Sequence, residues 1–190
     1  MVEIHLICRI NGPLGANLCA MSERAHNGEI IATLVVGSDG STSKDGTSRG
    51  VSSPVDRARF LERRRHVDAI LIGGNTARSE PYRKTPVPVV VISTSMINSL
   101  ADNRQAYWWN ASPSEAIDRA QRLFGPTILV EAGTSIIMEL LELALIDRLE
   151  LSVSTVTGGK DPIDIKKLLS YFTSVTSEVE GETTFHTATR

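Results

Sequence analysis

The chain has 190 residues, 41% hydrophobic and 22% charged, with a formal net charge of −2. These values fit one ordinary soluble globular domain of 1–190 with mass enough for a core, and give no general electrostatic attraction to nucleic acid or anionic membrane. No apolar run approaches the roughly 18 residues that span a bilayer, no signal-peptide pattern opens the sequence, and Cys8 and Cys19 make no disulfide framework, so a cytoplasmic protein is expected.

Val2, Ile4, Leu6, Cys8 and Ile10 alternate with more polar residues, which predicts a half-buried strand over 2–10. With the Gly-, Pro- and Asn-containing connection 11–28, it makes 1–29 an atypical N-terminal extension with one strand. Ile30 to Val36 is a continuous β-branched run, predicting a strand buried on both faces, and a polar loop follows from Gly37 to Ser53. Ser53-Pro54 supplies an N-cap and an N1 proline for a helix to about residue 66. On it Val55, Ala58, Leu61 and Phe60 are expected inward, and Arg57, Arg59, Arg63, Arg64 and Arg65 outward.

A strand over 68–72 then leads into Gly73-Gly74-Asn75-Thr76 and a short helix, followed by a strand over 87–92 and a short one around 106–108. Ser112-Pro113 caps a helix that Gly125-Pro126 stops. The strand 127–131 enters Ala132-Gly133-Thr134-Ser135 and an apolar helix over 134–145. A strand from Leu149 to Val156, a short helix over 162–170 and a hairpin of 175–180 with 183–188 complete the pattern. Strands alternating with helices predict a mainly parallel sheet with an antiparallel C-terminal hairpin. Trp108 and Trp109 are read as packing residues.

The two Gly-Thr turns stand where a strand gives way to a helix, which is where backbone amides, a helix dipole and a hydroxyl can cradle a phosphate. Each alone reads first as a tight strand-to-helix connection. Neither G-x-G-x-x-G nor G-x-x-x-x-G-K-[ST] is present. Ser93-Thr94-Ser95 ends a third strand, and ligands of open α/β sheets gather at such ends, so the three together predict one extended phosphate-bearing ligand. His5, Cys8, Cys19 and His26 match no usual zinc spacing, no metal is expected, and the zinc-deaminase signature is absent.

Several stretches carry a more specific pattern. They are Asp39-Gly40, Ser53-Pro54 with Arg64 near the end of its helix, Ala69 through Ala77, Glu80-Pro81, Val89 through Ser93, Leu129 through Thr134, and Ile146 through Leu151. In this order, over about 150 residues, the chain resembles the reductase domain of riboflavin biosynthesis, the C-terminal half of the bifunctional deaminase–reductase. The resemblance implies the three-layer dihydrofolate reductase-like fold, NADPH as cofactor and commonly a homodimer. It implies that Gly74, Asn75 and Thr76 with Gly133, Thr134, Ser135 and Ile136 hold the cofactor's phosphates, and that Ser93, Thr94 and Ser95 sit near the adenosine ribose and 2′-phosphate. It further implies that Arg64 and Glu131 face the substrate, Arg64 toward a ribose phosphate, with Ser48 and Asp39 nearby.

On that reading a phosphoribosylamino-pyrimidine is reduced to its ribitylamino product, with Asp39 and Glu131 the candidate proton donors. The family's S-x-D-G-[KR] stands here as Gly37-Ser38-Asp39-Gly40-Ser41, and its E-G-G as Glu131-Ala132-Gly133, which bears on the substrate more than on the fold. Asp56 with Phe60 one turn later keeps a pterin-reductase reading open, beside the plain reading of Asp56 as a helix-N-terminal acid. A non-catalytic nucleotide-binding relative is the third alternative.

Overall fold

A computed structural model describes residues 28–190. The predicted strand 2–10, its connection and the His5, Cys8, Cys19 and His26 set therefore lie outside the described residues. Eight strands form one sheet: β1 (Ile30–Val36), β2 (Ala69–Gly73), β3 (Val89–Ile92), β4 (Ala106–Trp109), β5 (Ile128–Val130), β6 (Arg148–Ser154), β7 (Ser174–Glu180) and β8 (Thr183–Thr189). Their order is β4-β3-β2-β5-β1-β6-β8-β7. The first six pair in parallel, and β8 joins β6 and β7 antiparallel, which is the predicted arrangement.

The helices are α1 (Pro54–Arg63), α2 (Gly74–Ser79), α3 (Pro113–Phe124), α4 (Thr134–Glu142) and α5 (Ile165–Leu169). Side chains of a strand alternate between faces, so a run that is apolar at every position must meet two cores. Ala69, Leu71, Val90, Ile128 and Val130 face a core shared with Ile117, Ile137, Leu140 and Leu168 of α3, α4 and α5. The alternate residues Ile70, Ile72, Val89, Val91 and Leu129 face a second core closed by Ala77, Tyr82 and Leu100. The result is a three-layer domain with the sheet in the middle.

Helix α1 departs from expectation. It ends three residues early, and its buried residue is Asp56, while Ala58 and Leu61 are exposed and Val55 is half-buried. Arg64, expected outside, is buried, and Arg63 is half-buried with its guanidinium donating to Thr33 Oγ1 at 3.0 Å. The apolar residues of the helix do not gather on one buried face, with Phe60 half-buried and Leu61 exposed, and it is the polar residues Asp56, Arg63 and Arg64 that find hydrogen-bond partners inside. The loop 37–53 holds a short 3₁₀ turn at Ser48–Gly50.

The capping pattern separates the helices into two kinds. Ser53, Ser112 and Asp164 each accept a first-turn amide of α1, α3 and α5, and Ser112 with Glu115 completes a capping box. Gly73 and Gly133, ahead of α2 and α4, supply no side-chain cap. Ser112→Ala is expected to lower unfolding free energy by about 1 kcal/mol, measured by urea denaturation, because the α3 amides then lose their acceptor.

Candidate functional site

The sheet order brings the ends of β3, β2, β5 and β1 side by side, so the two Gly-Thr turns and Ser93 emerge on one edge. Their closeness explains the glycines. A side chain at Gly73 would begin 2.9 Å from Ile136 Cδ1 of the second turn, and one at Gly74 would begin 2.5 Å from Ser93 Oγ.

A cavity of about 290 Å³ opens beside these ends. Thr76 and Gly133-Thr134 line one side, and Asp56, Arg57, Phe60 and Arg64 line the other. Of the residues assigned to the cofactor by resemblance, Asn75 and Ser135 are exposed at the turns, and Gly74 and Ile136 pack at their bases. Ser93, Thr94 and Ser95 stand outside the cavity at the end of β3. There Ser95 N donates to Ser93 Oγ at 3.1 Å, and Trp108 Nε1 donates to Ser95 O at 2.9 Å.

The centre of the cavity wall is a buried triad. Arg64 Nε donates to Glu131 Oε1 at 2.8 Å and Arg64 Nη2 to Glu131 Oε2 at 2.6 Å, and Tyr82 Oη donates to the same Oε2 at 2.6 Å. The guanidinium lies between the Phe60 and Tyr82 rings, 4.3 and 4.7 Å from their centroids. Burial opposes the Arg64 charge, but the Glu131 hydrogen bond and attraction outweigh it and hold the arginine above its ordinary range. Burial pushes the Tyr82 hydroxyl well above the phenol range, and the neighbouring Glu131 charge adds to the rise, so Tyr82 stays a donor.

This geometry alters the role expected for Glu131. Its oxygens are taken by Arg64 and Tyr82, so it acts as an ion-paired acceptor that orients the arginine. Among the described residues Arg64 Nη1 has no hydrogen-bond partner and is not fully buried, and Arg64 lines the cavity.

Asp39 does not line the cavity. It is exposed, its Oδ1 accepts from Ser41 N at 3.0 Å and Ser41 Oγ at 2.6 Å, and its Oδ2 accepts from Gly158 N at 2.7 Å. Those bonds, the Ser41 hydroxyl first, lower its pKa to about 2. An acid so strongly held as carboxylate clips two loops together and is a poor proton donor. Because the folded pKa lies below the unfolded one, the stabilisation is present above about pH 4 and lost as pH falls toward 2. Asp39→Asn should flatten the acid limb of a stability-versus-pH curve over that window.

Ser48 lies in the cavity wall, with its amide and hydroxyl both donating to Glu80 Oε1 at 2.9 Å. Asp56 is 5% exposed, lines the same cavity and accepts from Ser52 Oγ. Sequence reasoning missed three residues. Tyr82 and Glu80 approach their partners only through the fold, and Arg57 reads locally as one more base on a basic helix. Arg57 lines the cavity, 4.9 Å from the Phe60 centroid, with no carboxylate partner among the described residues.

A family model described as the RibD C-terminal domain matches residues 29–168. The chain belongs to the RibD C-terminal domain family. No curated protein sequence matches it. Among solved structures, a pyrimidine reductase-like protein from Corynebacterium diphtheriae is 18% identical with a TM-score of 0.63, covering 85% of this chain and 91% of that one. A dihydrofolate reductase from Enterococcus faecalis, complexed with NADP(H) and RAB-propyl, is 18% identical with a TM-score of 0.66, covering 87% and 98%. A diaminohydroxyphosphoribosylaminopyrimidine deaminase/5-amino-6-(5-phosphoribosylamino)uracil reductase from Thermotoga maritima is 15% identical with a TM-score of 0.62 and covers 86% of this chain and 57% of that one. At these identities the likeness establishes the dihydrofolate reductase-like fold that the RibD resemblance implied. No helix among the described residues is long and apolar enough to cross a membrane, and no metal-binding group of His, Cys, Asp and Glu occurs among them.

Proposed function

We propose that this RibD-family chain is an NADPH-dependent reductase. Its substrate in this reading is 5-amino-6-(5-phosphoribosylamino)uracil or a close phosphoribosylamino-pyrimidine, converted to the ribitylamino product. The observation that carries the reading is the single cavity shared by Thr76, Gly133 and Thr134 with the polar face of α1. The absence of a side-chain cap on α4 fits a dinucleotide phosphate, since the first amides of that helix need an acceptor and Thr134 adds a hydroxyl there.

Gly133, Thr134 and Ser135, with Gly74, Asn75 and Thr76, would hold the cofactor's phosphates, and Ser93 to Ser95 its adenosine end. When bound, NADPH supplies the hydride for the ribosyl carbon. The chain's own part is placement and charge. Arg57, which has no carboxylate partner among the described residues, offers its guanidinium to the ribose phosphate, with charge-assisted bonds. Arg64, held by Glu131 and Tyr82, turns Nη1 toward the substrate, and Asp56 accepts from a ring N–H. Neither Asp39 nor Glu131 is placed to give a proton, so solvent or a substrate group does that work. A homodimer belongs to the same reading, and the edge strand β7, with Val175 and Val179 exposed, offers a surface for it.

The test is NADPH oxidation followed at 340 nm with the deaminated pyrimidine substrate. Turnover is expected, and a protein that neither binds NADPH nor oxidises it refutes the proposal. A pterin reductase is the second reading, favoured by Asp56 and Phe60 lining the cavity together. Dihydrofolate turnover that Asp56→Ala abolishes would select it, and NADPH binding without turnover of either compound would select the non-catalytic relative.

A further inference from the structure

The sheet ends in two edge strands, β4 and β7. β7 bears Glu178 and Glu180, both paired with Arg59 of α1, and Val175 and Val179 on its other face are the surface offered above to a homodimer. β4, Ala106-Tyr107-Trp108-Trp109, carries no charge, and an uncharged edge rich in aromatic residues is one that folded proteins cover. Gln105 O and Trp109 O accept from Val89 N and Ser93 N on the β3 side. Alternation along the strand then turns the Trp108 N–H and C=O outward, where no strand pairs with β4 among the described residues. Beside this edge, on the α3 face of the sheet, Tyr107 is 39% exposed and Leu123 57%. Phe124, which follows Leu123, lies with its ring 4.8 Å from that of Tyr107, so an apolar patch adjoins the open edge.

The described residues begin close to this patch. A side chain at Gly28 would collide with Pro126, and Pro126 follows Phe124 by two residues. Upstream, Val2, Ile4, Leu6, Cys8 and Ile10 stand at every second position, and a strand so patterned needs an apolar surface for one face. We infer that residues 2–10 cover the outer side of β4, with their apolar face against Tyr107, Leu123 and Phe124 and main-chain bonds to Trp108. This is strand addition, in which ladder bonds hold the segment and alternate side chains fix its face. A slip by one residue would turn Glu3, His5 and Arg9 onto the aromatic patch, which sets the register. The reach is ample: residues 11–27 extend up to about 56 Å, and β1 and β4 are four strand spacings apart, about 19 Å. The same chain is the occupant rather than a second copy, because a tether of this length gives the segment a high effective concentration at the edge.

The experiment follows amide hydrogen exchange by NMR in the full chain, for the wild type, the double variant Ile4→Asp with Leu6→Asp, and Leu123→Gln. Sedimentation at low and high protein concentration runs alongside. The Trp108 amide of the wild type is expected to exchange about tenfold or more slowly than that of the double variant, and the amides of 4–8 should lose protection in the same variant. Leu123→Gln, at an exposed position on α3, should produce part of both changes. A Trp108 amide that exchanges equally fast in the wild type and the double variant overturns the inference. Protection of 4–8 without protection of Trp108 also overturns it and sends the segment to β7 or another surface. Protection that grows with concentration in step with a dimer overturns it as well and gives the edge to a second copy. Unchanged exchange of the buried Leu71 amide checks that each variant keeps the fold.

Discussion

Glu131→Ala should lower unfolding free energy by about 3–5 kcal/mol, the range for breaking a buried ion pair by removing one partner. The side chains of Arg64 and Glu131 are 6% and 2% exposed, so the variant leaves a guanidinium with little water to replace the lost carboxylate. Tyr82 compounds the loss, because its hydroxyl donates only to Glu131 and becomes an unsatisfied buried donor. Urea unfolding measures the effect. The double variant Arg64→Met with Glu131→Leu should recover much of it, since removing both charges also removes their desolvation cost. A loss below about 1 kcal/mol for Glu131→Ala would mean that the adjoining cavity solvates Arg64 as an exposed pair is solvated, and the triad would then not be a structural anchor.

The strands were legible because parallel strands buried on both faces write themselves as near-continuous apolar runs rich in β-branched residues, and Ile30–Val36, with five of its seven residues buried and Leu34 and Val35 partly so, is such a run. Helix α3 was legible through Ser112, Pro113 and Gly125, whose signals are local. The adjacency of the two Gly-Thr turns was also within reach, because both end strands that the topology makes neighbours. What sequence could not supply is choice among partners distant in the chain. Arg64 meets Glu131 across 67 residues, and Tyr82 meets it across 49, with no local pattern to announce either contact. The same limit misoriented α1: its apolar residues are the local signal, but Thr33 on β1 and Glu131 just after β5 take up Arg63 and the C-cap residue Arg64 and so decide which face is buried. Asp39 is only partly a case of the same limit: Ser41, two residues on, holds one of its oxygens locally, while Gly158, which holds the other, is 119 residues away.

That redistribution of roles makes Arg57 the decisive test of substrate binding. If the substrate carries a phosphate, the cation that meets it should be one whose charge is not already matched, and Arg64 is matched by Glu131. Arg57→Ala should therefore raise KM for a phosphorylated pyrimidine about tenfold to hundredfold, the size of one or two charge-assisted bonds, with a smaller change in kcat. The same variant should leave KM for the dephosphorylated ribosyl compound near its wild-type value. Raising ionic strength should reproduce part of the effect in the wild type and little in the variant, because Arg57 is only half-buried and ions in solution can screen it. Equal losses on both compounds would show instead that Arg57 acts by holding Phe60, whose ring centroid lies 4.9 Å from its guanidinium. The phosphate would then have to find its charge elsewhere in the same wall, where Arg64 is the remaining cation that the cavity presents on α1's side.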